Sequence, residues 1–210
     1  MKKCALFALA ALFAGVSQAL TLAWQSSDTS KQTGFQIDSG TSFTIVAKLV
    51  SSASMLSSAG NTPLLLTNGG TDQLKVFNDG GWCNVNVKND NTDWVSMGYN
   101  NATTIKNATE LWVAITSDQA GKTSMAFYDS SKSVLQSKSW TTAADTKNTG
   151  LTGFDSVTFA AGVTGEVWYD TTYYTSIDAM TAQVTSVPEP TALALIALGI
   201  GAMALKRKAR

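Results

Sequence analysis

The chain has 210 residues, 15 basic against 15 acidic side chains, and no histidine. Without histidine, Ser-His-Asp and Cys-His nucleophilic sites and histidine-liganded zinc are excluded, and the commonest general base is missing. The neutrality is uneven: between residues 20 and 187 nine lysines and no arginine stand against fourteen acids, a charge of −5, which lacks the basic footprint of a nucleic-acid or anionic-membrane binder.

Lys2 and Lys3 precede an apolar stretch over residues 4–16, followed by Ser17, Gln18 and Ala19, with small residues at the two positions a signal peptidase reads. Residues 1–19 are therefore expected to be a signal peptide cleaved after Ala19. Cys4 lies ahead of the apolar stretch, where a lipoprotein anchor would not be, and Cys83 is then left without a partner for an internal disulfide. The remaining body fits one domain, residues 20–184.

Within that body, short alternating apolar segments are separated by turn residues, the pattern of an all-β sandwich or barrel, and helical periodicity is missing. Residues 43–50 put Phe43, Ile45, Ala47 and Leu49 on one strand face. Pro63 opens a run over 64–67, the Asn68, Gly69, Gly70 turn follows, and strands are expected over 74–77 and 82–87 around the Gly80, Gly81 turn. The clearest hairpin joins 111–116 to 123–128 through Asp118, Gln119, Ala120 and Gly121. A strand over 134–140 follows the turn at Asp129, Ser130, Ser131 and Lys132, and a final pair is expected over 157–161 and 165–170. A helical turn capped by Ser176 is expected over 176–181.

Residues 185–190 read as a linker holding Pro188, Glu189 and Pro190, and residues 191–205 carry no charge. As a helix this stretch covers only ~22 Å of a ~30 Å hydrocarbon core, at ~1.5 Å per residue. It has no polar face, so it is expected to be a membrane-directed helix, stopped by Lys206, Arg207, Lys208 and Arg210 in a basic cytoplasmic tail over 206–210.

Pro188-Glu189-Pro190, the apolar stretch and the basic end, in that order, resemble the PEP-CTERM sorting signal of exported proteins in certain Gram-negative bacteria. The resemblance implies that the tail holds the protein in the inner membrane until an exosortase, a membrane protease, processes it near the triplet. The destination is then the cell surface or extracellular matrix. A plain single-span anchor is the alternative.

The body resembles the concanavalin A-like jelly roll of the LamG type. The residues that carry the likeness are FTIVAKL (43–49), ELWVAITSD (110–118) with GKTSMAFYDSSKSVLQS (121–137), and FDSVTFAAG (154–162) with GEVWYDTTYYTSIDAMT (165–181). The implied fold is a two-sheet antiparallel sandwich; an immunoglobulin-like sandwich is the alternative, although its paired cysteines are missing.

Chemistry is sparse. Cys83 lies in a strand-like run with no His⁺ or Arg to lower its pKa, and is expected to be an inert structural thiol. Glu166 and Asp170 share a strand face but stand ~13 Å apart at ~3.3 Å per residue, beyond the ~5–9.5 Å of glycosidase carboxylate pairs. Asp90, Asn91 and Asp93 concentrate oxygen ligands suited to Ca²⁺, an ion the LamG resemblance places at loop rims. Trp82, with Asn84 on the same strand face, and Trp94 sit at strand ends, where aromatic faces beside amides suit sugar binding; core packing is the competing role. Trp112 and Trp168 lie within strands and are expected to be buried or half-buried. The expectation is an exported, non-enzymatic protein with a lectin-like sandwich that binds polysaccharide, with a purely structural or adhesive envelope protein as the alternative and a glycan-active hydrolase as a third reading.

Overall fold

The computed structural model describes residues 20–26, 32–33, 41–88, 94–100, 103–141 and 154–187. In chain order these form β1 (Thr21–Ser26), β2 (Gln32–Thr33), β3 (Phe43–Ser51), β4 (Leu64–Asn68), β5 (Thr71–Asp79), β6 (Trp82–Lys88) and β7 (Trp94–Asn100). They continue with α1 (Thr103–Lys106), β8 (Glu110–Ser117), β9 (Thr123–Tyr128), β10 (Val134–Trp140), β11 (Ser156–Phe159), β12 (Val163–Asp170) and α2 (Ile177–Ser186).

Two six-stranded antiparallel sheets result, with orders β1-β12-β3-β8-β9-β10 and β2-β11-β4-β5-β6-β7. The chain crosses between them after β1, β2, β3, β7, β10 and β11, so β11 and β12 insert between strands made much earlier. The architecture is the expected jelly-roll sandwich.

Alternation builds the core. Phe43, Ile45, Ala47 and Leu49 of β3, Leu111, Val113 and Ile115 of β8, and Met125 and Phe127 of β9 face Leu64, Leu66, Leu74, Val76, Val85, Val87 and Met97 of the second sheet in one buried cluster. Cys83 belongs to this cluster, and burial pushes its thiol pKa up, with Lys106 opposing the rise. Phe159 of the second sheet presses on Gly165 of the first. A Cβ at position 165 would collide with that ring and with the Lys48 carbonyl oxygen.

A second cluster lies on the outside of the first sheet, where Val46, Trp112, Ala114, Ala126, Tyr128 and Trp168 are buried with Met180 and Val184 of α2 and with Leu20 and Val187. Ser176 caps α2 as expected, its Oγ accepting from the Ala179 N–H at 3.1 Å. The helix then runs longer than its expected turn, because Met180 and Val184, four residues apart, both find this apolar face. Thr185 and Ser186, read from the sequence as linker, are therefore helical.

The structure adds strands where none were expected, β1 against β12, β2 against β11 and β7 against β6. In β7, Val95 and Met97 do alternate inward, but the alternation is short and Gly98 follows directly, which hides the pattern. Among the described residues, no helix is long and apolar enough to cross a membrane. The apolar stretch 191–205 and the expected signal peptide lie outside them.

Candidate functional site

The outer face of the second sheet has no helix packed on it among the described elements; α2 packs on β8, β9 and β10 of the other sheet. Register fixes what this face presents, exposed at Trp82 and buried at Asn86 and Gln73. Across β5, β6 and β7, Asp79 pairs with Trp82 and Trp82 with Asn100; Phe77 pairs with Asn84 and Asn84 with Gly98; Lys75 pairs with Asn86 and Asn86 with Ser96. Since Val76, Val85 and Met97 point into the core, Lys75, Phe77, Trp82, Asn84 and Asn86 point out.

Trp82 begins β6 directly after a turn in which Gly80 and Gly81 both have positive φ, +56° and +112°. Asn78 holds that turn: its Oδ1 accepts from the Gly81 N–H at 2.9 Å while its amide nitrogen donates to the Leu56 carbonyl. The indole is 47% exposed, the most exposed large apolar side chain among the described residues. Asn84 donates to the Trp82 carbonyl at 3.0 Å. Gly98 makes room beside both, because a Cβ there would lie 2.5 Å from Asn84 Oδ1 and 3.3 Å from Trp82 Cε3. Asn86, one step along the same face, is 8% exposed, and its Oδ1 has no hydrogen-bond partner among the described residues. Lys75 Nζ stands 4.7 Å over the Phe77 ring.

Trp82 and Asn84 are thus brought together as their shared parity implied. Residue 94 opens β7 with its Cα opposite that of Lys88, at the far end of the β6–β7 ladder, ~20 Å from the Trp82 end at ~3.4 Å per residue. The Trp94 side chain and the whole of 89–93, which includes Asp90, Asn91 and Asp93, lie outside the described residues. Among those described, no three His, Cys, Asp or Glu side chains come together as a metal site would require. Phe77, Asn86 and Gly98 were not singled out from the sequence. The parity of Phe77 against Leu74 and Val76 was readable there, but the cross-strand neighbours needed the register.

Other acidic groups serve the fold. Glu166 is buried on the helix-covered side, and Asp170 accepts from the Tyr174 hydroxyl at 3.0 Å. A polar cleft of about 420 Å³ between α1 and the β9–β10 turn includes Glu110 and Asp129. Glu110 accepts from Trp112 Nε1 at 3.2 Å and pairs with Lys48 at 3.4 Å, and Asp129 Oδ1 accepts from the N–H groups of Ser131 and Ser133.

Residues 186–208 match the PEP-CTERM protein-sorting motif. The chain carries a PEP-CTERM tail. This implies export and transient anchoring in the membrane before exosortase processing. Pro188, Glu189, Pro190, Lys206, Arg207 and Lys208 fall within the matched stretch, although their placement lies outside the described residues.

No curated protein is significantly similar to the chain. Among solved structures, the sandwich is similar to the receptor binding domain of botulinum neurotoxin mosaic serotype C/D, with a TM-score of 0.50 and 10% identity over 80% of this chain and 51% of that one. It is also similar to HCR/D-Sa-GBL1/C, with a TM-score of 0.49 and 12% identity over 78% and 41%. A third likeness is to the serotype D ligand binding domain in complex with N-acetylneuraminic acid, with a TM-score of 0.47 and 11% identity over 81% and 45%. The chain thus spans about half or less of the length of these toxin chains. The first likeness, at 10% identity, supports the concanavalin-like jelly-roll fold and nothing finer.

Proposed function

We propose that this exported PEP-CTERM protein is a non-enzymatic polysaccharide-binding sandwich that acts at the cell surface or in the extracellular matrix, taking its glycan on the outer face of the second sheet. The observation that carries the reading is the exposure of Trp82 at 47% on a sheet face without a cover among the described elements. A large indole left in water loses the apolar contact that drives its burial elsewhere in the chain, and its flat face suits the C–H face of a sugar ring. Asn84 beside it, with one amide N–H on the Trp82 carbonyl, offers its other N–H and an acceptor oxygen, the pairing that sugar hydroxyls require. Phe77 and Lys75 extend the surface across β5.

The test is retention of the folded protein on glycan arrays and in polysaccharide-containing gels, with and without calcium, for the parent chain and Trp82→Ala. The proposal expects one or more polysaccharides to retain the parent and to lose the variant. Flat responses from the parent across plant, animal and bacterial glycans would sink it.

A further inference from the structure

The matched sorting motif begins inside the fold. Its first residue, Ser186, is the last residue of α2, and Val187 is 3% exposed in the cluster beneath that helix. The Val187 N–H donates to the Val184 carbonyl at 3.3 Å, and its own carbonyl accepts from Lys132 Nζ at 2.9 Å. Lys132 comes from the β9–β10 turn, 55 residues away in sequence, and its ammonium also lies 4.6 Å from the Trp112 ring centroid.

The backbone at Lys132 is costly. Two hairpin turns of this sheet share one design, in which an aspartate accepts from N–H groups two and four residues on: Asp118 from Ala120 and Lys122, Asp129 from Ser131 and Ser133. Three residues after the aspartate the chain takes positive φ in both, +117° at Gly121 and +60° at Lys132. Where the first turn has glycine, the second carries a lysine in the left-handed region, a conformation that costs an L-residue about 1–2 kcal/mol. Strain kept at a residue whose side chain grips a distant carbonyl points to that grip.

The chain leaves little slack beyond it. Between Val187 and the uncharged run that starts at Thr191 stand three residues, which reach at most ~11 Å even fully extended. A protease takes its substrate extended on both sides of the bond it cuts, and it acts on the locally opened state in proportion to its population. The geometry points to Lys132 as a latch that restrains exosortase processing: Ser186 and Val187, which lead into the Pro-Glu-Pro triplet, become available only when the last turn of α2 frays and the Lys132 contact breaks. Cleavage is the ordinary one, with the nucleophile adding to the scissile carbonyl carbon and the departing amine taking up the proton. The device is independent of any glycan.

The experiment uses the full chain in an exosortase-bearing host, with release from the membrane fraction followed by pulse-chase. Lys132→Gly removes the latch and relieves the backbone at once, so folding is preserved. It should speed release about tenfold or more, the effect of one hydrogen bond to a charged group on an opening equilibrium, and should speed amide exchange at Val187. Lys132→Arg, which keeps a donor, should process within about twofold of the parent by the same reasoning. Inserting four Gly/Ser residues between Val187 and Pro188 should speed release as much as Lys132→Gly, and the two changes together should give no more than either alone. The idea is overturned if Lys132→Gly is processed at the parental rate or more slowly, or if its effect multiplies with that of the insertion.

Discussion

The two sheets turn very different faces outward. On the first, Trp112 and Trp168 stack with ring centroids 5.6 Å apart and planes 16° from parallel, Lys48 Nζ stands 5.1 Å from the Trp112 centroid, and α2 seals the patch. On the second, Trp82 lies open beside Asn84 and Phe77. The same residue type at the same strand parity is structural in one place and available in the other. The difference lies in about ten residues of helix, delivered from the end of the domain. The loop that starts the helix is itself pinned to the first sheet: the Tyr174 N–H donates to Thr116 Oγ1 at 2.9 Å, and Thr44 Oγ1 donates to the Thr172 carbonyl at 2.7 Å.

The contrast predicts effects of very different size. Trp112→Ala should destabilise the protein by about 3–5 kcal/mol, the range for deleting a fully buried large aromatic, whereas Trp82→Ala should change stability by less than about 1 kcal/mol and abolish glycan retention. Urea unfolding of both variants checks the first half. Equal losses would erase the distinction between the faces.

Alkaline titration should strike the covered face. Burial raises the Tyr128 phenol to about 12 against a hydrogen bond to Thr181 that opposes the rise, and burial followed by the bond to Asp170 raises Tyr174 to about 12. The folded state therefore holds these protons more tightly than the unfolded chain, whose phenols titrate near 10. Their contribution to stability is complete below pH 10 and is lost as pH climbs from 10 towards 12. Stability measured across that window should fall less steeply in Tyr128→Phe than in the parent.

Smaller effects sharpen the comparison further. Ser176→Ala removes the α2 cap and should cost about 1 kcal/mol, with dye binding reporting partial exposure of the Trp112 face. Gly98→Ala places a methyl against Asn84 Oδ1 and Trp82. With the site's side chains displaced and the core untouched, it should shift stability by no more than about 0.5 kcal/mol while weakening glycan retention. Retention unchanged in this variant would move the ligand away from the β6–β7 surface.

Most strands were legible because their alternation is strong: β9 and β10 match their expected bounds, and β3, β6 and β8 differ by a residue or two. β8 shows where that signal stops. Leu111, Val113 and Ile115 alternate with Trp112, Ala114 and Thr116, and both sets are buried, one set in the core and the other on the helix-covered face. Alternation separates two sides of a strand without saying what will cover either. The candidate site was half legible for the same reason: Trp82, Asn84 and Asn86 share a face of β6 by counting, while Phe77 and Gly98 join them only through the register with β5 and β7.

The targeting motif at the C-terminus, the sandwich class and the histidine-free chemistry were determined by the amino-acid sequence itself, since each rests on residue type and local spacing. Which tryptophan is sealed and which is offered, and the tie between the Val187 carbonyl and Lys132, were decided by tertiary structure alone. Burial and hydrogen bonding between residues 55 or more positions apart depend on where the helix docks and how the sheets are ordered, and neither is written in any local pattern.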